Sequence, residues 1–237
     1  MNDMRAHVAK ANQVLRVPAK PTIRSRLGRL LRPRSADSPA LLSYRFLARQ
    51  IEMDLPLEDG SGRTILMSSS VPPASSNEAM LLFSYALAEE LGSRILLVDS
   101  TFGDAGVGAI LGHVGAPGVI DLLYGTEHAL TDLVLPTKRH NISVLPAGRP
   151  RIGRLLPIEA DRVVSLYEPL CNRFDYILVQ QGPISEDTRY LAFATKADLV
   201  VLMVEEGVTQ VDELDRSLDV FRNHQITNIR LVLCAPR

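Results

Sequence analysis

Six apolar runs punctuate the chain, at Thr64–Ser69, Arg94–Asp99, Asn141–Leu145, Asp175–Val179, Asp198–Val204 and Asn228–Cys234. Runs such as "RILLVD" and "DLVVLMV" do not alternate with polar residues. A strand with one wet face alternates, and an uninterrupted one is covered on both faces. Helical patterns separate most of these runs. The first is "SPALLSYRFLARQIEMDL", where Leu41, Leu42, Tyr44, Leu47 and Ile51 fit one helix face behind a Ser-Pro start. Further patterns cover 76–91, 117–133 in pieces, 159–172, 186–196 and 209–224. Strands alternating with helices predict an α/β fold: a single doubly wound domain with a mostly parallel central sheet and right-handed crossovers. Ligands of such sheets sit at the carboxyl ends of the strands. The chemistry is therefore sought after Ser69, Val98 and Val179.

Composition narrows the classes. The 237 residues, 46% hydrophobic, suffice for one sizeable core. No apolar run is long enough to span a bilayer, and no signal-peptide apolar centre is read near the start. Cys171 and Cys234 are expected to be free thiols in a reducing cytoplasm, and the five histidines have no metal-ligand spacing. A net charge of −1 hides an asymmetry. Residues 1–37 hold nine Lys or Arg and two acids; the rest holds 17 and 25, so a segment of +7 precedes a body of −8. The expected organisation is a basic, flexible tail over 1–37 and a folded domain over 38–237. Such a tail suits anionic lipid or an acidic partner. Nucleic acid is not expected as a partner, because the tail lacks aromatics and the acidic body repels a duplex.

The first strand end reads "TILMSSSVPPASSNEAM", a strand, a loop of small residues and prolines, then a helix. This is the setting of a phosphate-binding loop without its glycines or its lysine. Only Lys10, Lys20, Lys138 and Lys196 occur in the chain. Ser75-Ser76-Asn77-Glu78 has the spacing of a capping box, Ser75 as N-cap and Glu78 three residues on. Its carboxylate would fill a helix terminus that elsewhere binds anions.

Several segments together resemble a family. They are "SPALLSYRFLARQIEMDL", "GRTILMSSSVPP", "GSRILLVDSTFGDAGVGAILG", "GVIDLLYGTEHALTDLVLPTKRHNISVLPAGRP", "RFDYILVQQGP" and "ADLVVLMVEEGVTQVDELDRSLDVFRNHQI". From about Ser38 onward they resemble the cytoplasmic domain of bacterial tyrosine kinases (BY-kinases) of capsule and exopolysaccharide loci. That family belongs to the MinD/ParA-type group of P-loop proteins. The resemblance implies a P-loop-NTPase-like fold and a nucleotide site at particular positions. Its two loop glycines would fall on Pro73 and Ser75, its lysine on Ser76, and its Mg²⁺-binding Ser/Thr on Asn77. Proline has a locked φ and no N–H, so it cannot cradle phosphate as glycine does. An acidic residue after the next strand is present as Asp99, which serves equally as a strand-end cap. The Walker B aspartate would fall on Gln180, whose neutral amide does not balance Mg²⁺.

Of the family's oligomerisation motif on the first helix, Arg45 is kept. The glutamate would fall on Leu42 and the last arginine on Ala48, with Arg49 one place away. The base-reading asparagine would fall near Cys234. The family's terminal tyrosine cluster is expected beyond "LVLCAPR" and is not read in this chain. "GDAGVGAILG" has its glycines at 106, 108 and 112, one residue too long for a dinucleotide fingerprint, and reads as a glycine-rich turn.

These positions lead to an expectation of a catalytically inactive BY-kinase-like protein without catalytic residues, metal or cofactor. It would act by binding in exopolysaccharide or capsule synthesis and export, in the cytoplasm and peripherally at the inner membrane face. The expected partner is a membrane polysaccharide co-polymerase or an active kinase of the same fold. One alternative is a residual autokinase or ATPase using ATP and Mg²⁺. The other is a MinD-like adaptor on a membrane surface through residues 1–37.

Overall fold

The structure, a computed structural model, describes residues 14–18, 39–57, 60–69, 73–102, 105–125, 128–149 and 157–235. Its strands are β1 (Val14–Pro18), β2 (Arg63–Ser69), β3 (Ile95–Asp99), β4 (Leu135–Pro136), β5 (Ile142–Leu145), β6 (Tyr176–Gln180), β7 (Leu199–Glu205) and β8 (Ile229–Ala235). Its helices are α1 (Pro39–Asp54), α2 (Pro73–Leu91), the short α3 (Val107–Ile110), α4 (Val119–Leu123) and α5 (Leu130–Leu133), then α6 (Ala160–Cys171), α7 (Tyr190–Ala194) and α8 (Val211–Asn223).

One eight-stranded sheet has the order β1-β8-β7-β2-β6-β3-β5-β4. Every described pairing is parallel except β4 with β5. The uninterrupted apolar runs are the central strands, and successive residues serve opposite faces. Ile65, Met67, Tyr176, Leu178, Val201 and Met203 join α1 and α2 in one core. Leu66, Ile177, Val179, Val200, Leu202 and Val204 join α6, α7 and α8 in the other. Each fully buried Leu or Phe stabilises the fold by about 1.5–3 kcal/mol relative to exposure.

From β2 the chain crosses through α2 to β3, on one side. From β6 it passes to β7 and then β8, on the other. The crossovers diverge over the carboxyl ends of β2 and β6, where a doubly wound sheet opens its crevice.

The folded part differs from expectation in two places. Val14–Pro18, inside the segment expected to be a tail, pairs in parallel with Leu231–Ala235 as an edge strand. The run "VLRVP" is too short and too interrupted by charge to signal a strand alone; β8 supplies its partner. The rest of the expected tail lies outside the described residues. The second difference is the start of α2. It begins at Pro73, so Ser75 lies within the first turn and is not its N-cap. Proline suits the first helical position, where its fixed φ is already helical and its missing N–H has no partner to lose. Glu78 falls beyond the first turn, and its charge acts on Tyr44 of α1.

Candidate functional site

The carboxyl ends of β2, β6 and β3 lie side by side, with Met67 opposite Gln180 and Asp99 opposite Gln180 in register. Helix α2 brings Asn77 over them. Asn77, Asp99 and Gln180, three positions at which the resemblance expects Mg²⁺ chemistry, are thus assembled at one point. Each is at most 2% exposed.

Their hydrogen bonds form a chain. Asn77 Nδ2 donates to the Ala105 carbonyl at 2.7 Å. Gln180 Nε2 donates to Asn77 Oδ1. The Val107 N–H donates to Gln180 Oε1 at 2.7 Å. Both ends of this chain set the amide orientations. A carbonyl can only accept and an N–H can only donate, so Asn77 presents its nitrogen to Ala105 and Gln180 its oxygen to Val107. The remaining amide atoms then match. An aspartate at 180 has no proton to give Asn77, so the family's carboxylate would not complete this chain.

Asp99 is occupied from two sides. One carboxylate oxygen accepts from the Thr101 N–H at 3.1 Å and Thr101 Oγ1 at 2.7 Å. The other accepts from the Gly108 N–H at 2.9 Å. Burial pushes its carboxyl above the usual range, and the bonds from Thr101 and Gly108 oppose that shift. Gly106 and Gly108 explain the glycine-rich turn. A Cβ at Gly106 would overlap both Asp99 carboxylate oxygens, so only glycine lets the backbone pass over the acid.

A clamp holds Thr101 and Phe102, just after Asp99. Phe102 takes a positive φ of 57°, costly for an aromatic residue. Its ring stacks on Tyr190 at 5.6 Å and lies under the Arg189 guanidinium at 4.7 Å. Tyr190 donates its hydroxyl proton to the Thr101 carbonyl at 3.2 Å. Farther along, the blocks "GVIDLLYG" and "NISVLPAGRP" dock: Val119 and Ile120 donate to the Pro146 and Ala147 carbonyls at 2.9 Å. Sequence reasoning missed Thr101, Ala105, Val107 and the Phe102–Tyr190 clamp. Gly106, seven residues after a strand-end aspartate, was the one available signal.

The other expected positions are as follows. Ser76 is buried beside Asn77 on α2, and Pro73 and Ser75 stand in its first turn. Lys138 lies in the turn before β5 and Lys196 just before β7, both at the amino end of the sheet. A strand of five to seven residues puts them roughly 16–23 Å from the carboxyl ends. Asp175 also stands at the amino end, paired with Arg94 at 2.6 Å. Cys234 is buried in β8, and burial, with Glu205 nearby, pushes its thiol up to about 12. Arg45 pairs with Glu90 of α2 at 2.8 Å, and Arg49 bonds the Glu90 carbonyl at 3.0 Å and Glu52 at 3.1 Å. Both arginines are thus engaged along the α1–α2 seam. Both cysteines are free, and no metal-ligand cluster occurs among the described residues.

These groups do not fit Mg²⁺ with a triphosphate. The metal prefers carboxylate oxygens and keeps its waters. Here it would meet two amides already bonded to protein and one buried carboxylate with both oxygens occupied. Neither described lysine stands in for the loop's lysine, since both lie a strand length away.

The fold is the one found in solved MinD and BY-kinase domains, a P-loop-NTPase-like α/β domain. The chain is similar to the following relatives and neighbours. It is 26% identical over 179 residues to the succinoglycan biosynthesis transport protein ExoP of Rhizobium meliloti, covering 73% of this chain and 22% of that protein. It is 27% identical over 152 residues to a putative septum site-determining protein MinD of Emiliania huxleyi, covering 62% of this chain and 54% of that one. The chain therefore spans about a fifth and about half of these two relatives. Among solved structures, the kinase domain of Escherichia coli tyrosine kinase ETK superposes with a TM-score of 0.77 at 14% identity, over 94% of this chain and 90% of that one. No family model matches the chain. No helix among the described residues is long and apolar enough to cross a membrane.

Proposed function

We propose that this chain is a catalytically silent relative of BY-kinase domains that acts by binding in the synthesis or export of an exopolysaccharide or capsule. The carrying observation is the hydrogen-bonded chain from Ala105 through Asn77 and Gln180 to Val107. It uses side chains complementary to one another rather than to Mg²⁺. The relationship to a succinoglycan biosynthesis transport protein supports the pathway. The partner we favour is the cytoplasmic face of a membrane polysaccharide co-polymerase, or an active kinase of the same fold. The protein would work in the cytoplasm, at the inner membrane face.

Incubation of the full chain with ATP and Mg²⁺ tests the silent site. No phosphate release and no phosphotyrosine above background are expected. Turnover that Asp99→Ala abolishes would instead support a residual autokinase with its one acidic group in use. The charge asymmetry of residues 1–37 favours a second contact, with anionic lipid. Vesicle sedimentation should lose most binding when nine basic residues are neutralised; equal binding by both forms removes that contact.

A further inference from the structure

Helix α1 is apolar on two opposite faces. Leu41, Tyr44, Leu47, Ala48 and Ile51 lie buried in the core that the sheet and α2 share. Leu42, Phe46 and Met53 stand on the outer face and are 50%, 62% and 82% exposed. A helix covered on one side carries polar residues on the other, and one that is apolar on both is covered on both. We propose that this outer face docks antiparallel on the same face of a second copy of this chain, forming a two-fold dimer.

Spacing is the first observation. Leu42, Phe46, Arg49 and Met53 are separated by four, three and four residues, the alternation of the seam between two packed helices. The seam runs about 16 Å along the helix. It is also symmetric about the midpoint between Leu47 and Ala48. An antiparallel copy therefore sets Leu42 against Met53 of the second copy and Phe46 against Arg49 of the second copy, each twice. Apolar meets apolar, and a guanidinium meets an aromatic face, which attracts cations. A two-fold interface requires this self-complementarity, because one patch serves both chains.

Charge is the second, and it fixes the direction. Arg45 and Glu52 are seven residues apart and flank the seam on the same side, where Arg45 pairs with Glu90 of α2 at 2.8 Å. Their side chains are still 26% and 47% exposed. Antiparallel docking brings like sides together, so Arg45 of each copy faces Glu52 of the other. Arg49 bonds Glu52 and the Glu90 carbonyl through its nitrogens and remains 54% exposed, which leaves the face of its guanidinium for Phe46. Parallel docking would set Arg49 against Arg49 inside the seam, two like charges in a closing interface. An anionic bilayer suits this face less, because it would meet Glu52 and Glu90 along one edge. The seam is short, so the dimer belongs to the small, weak class of interfaces.

This inference is independent of the silent nucleotide site, which these residues do not touch. The test is sedimentation velocity of the full chain from about 1 μM to about 1 mM. Oxidative cross-linking accompanies it, in a Cys171→Ser background that removes the partly exposed native thiol. A monomer–dimer equilibrium is expected. Phe46→Glu should weaken it at least about tenfold while leaving the melting temperature unchanged, since that side chain is mostly exposed. A mixture of Leu42→Cys and Met53→Cys chains should cross-link. Leu42→Cys alone should not, because its two copies lie about 16 Å apart. The proposal is overturned by a chain that stays monomeric throughout, by a closed assembly larger than a dimer, by a dimer that Phe46→Glu leaves intact, or by cross-linking of Leu42→Cys alone. A monomer whose binding to anionic vesicles is lost in Phe46→Glu would overturn it in favour of a membrane.

Discussion

The two ends of this sheet solve opposite problems with similar residues. At the carboxyl end, Asn77, Asp99 and Gln180 are buried and every polar atom named there has a partner within the protein. At the amino end, Tyr167 keeps a buried hydroxyl unpaired while Lys196 and Glu168 stand open beside a cleft. A doubly wound sheet normally keeps its ligands at the carboxyl end. In this molecule the three expected positions at that end are satisfied from within, while buried polar atoms without a partner remain beside them at Gln181 and at the other end at Tyr167. The difference teaches that the position of a site in a fold is a prior, and that partner accounting of buried polar atoms is the sharper guide.

The comparison predicts that carboxyl-end substitutions cost stability and amino-end ones mainly do not. Gly106→Val should be the most damaging, about 3 kcal/mol or more in urea unfolding, because its side chain displaces the buried Asp99 carboxylate. Gln180→Leu should cost about 2–4 kcal/mol, since it strands both Asn77 Oδ1 and the Val107 N–H. A double-mutant cycle of Asn77→Ala with Gln180→Leu should give a coupling of about 0.5–3 kcal/mol; a value near zero would mean that the two amides do not act as a pair.

Acid titration separates the ends by sign. The Asp175 carboxyl is held below its usual range by the Arg94 hydrogen bond. Its contribution is present above the unfolded carboxylate range and is lost as pH falls through its depressed value. Asp99 is shifted the other way by burial, so its contribution is present in acid and is lost as pH rises through its raised value. Arg94→Ala should therefore flatten the rise of melting temperature between about pH 3 and pH 5, and Asp99→Asn should steepen it. At neutral pH the largely exposed Arg94 pair contributes no more than about 1 kcal/mol. Tyr167→Phe closes the series, with a change within about 0.5 kcal/mol or a slight gain.

Most of the fold was legible because burial on both faces leaves a plain pattern. All six apolar runs became strands within about a residue of their expected limits, from Arg63–Ser69 to Ile229–Ala235. β1 and β4 were not legible, because a five-residue and a two-residue strand depend on their neighbours rather than on pattern. Of the site, Asn77, Asp99 and Gln180 were found through resemblance, and their convergence follows from strand register. Their mutual bonding was not, since it depends on a loop whose Ala105 and Val107 contribute only backbone. The expectation of Ser75 as the cap did not anticipate a helix that already begins at Pro73. The cleft at the amino end leaves no sequence motif, because it joins residues from β2, α6 and the α7–β7 turn.

The central claim is that Asn77, Asp99 and Gln180 are satisfied by the protein itself, without a nucleotide. Calorimetric titration of the full chain with ATP and Mg²⁺ tests it most directly. The account predicts no saturable heat through the millimolar range. A dissociation constant in the micromolar range, lost in Asp99→Ala, would contradict it.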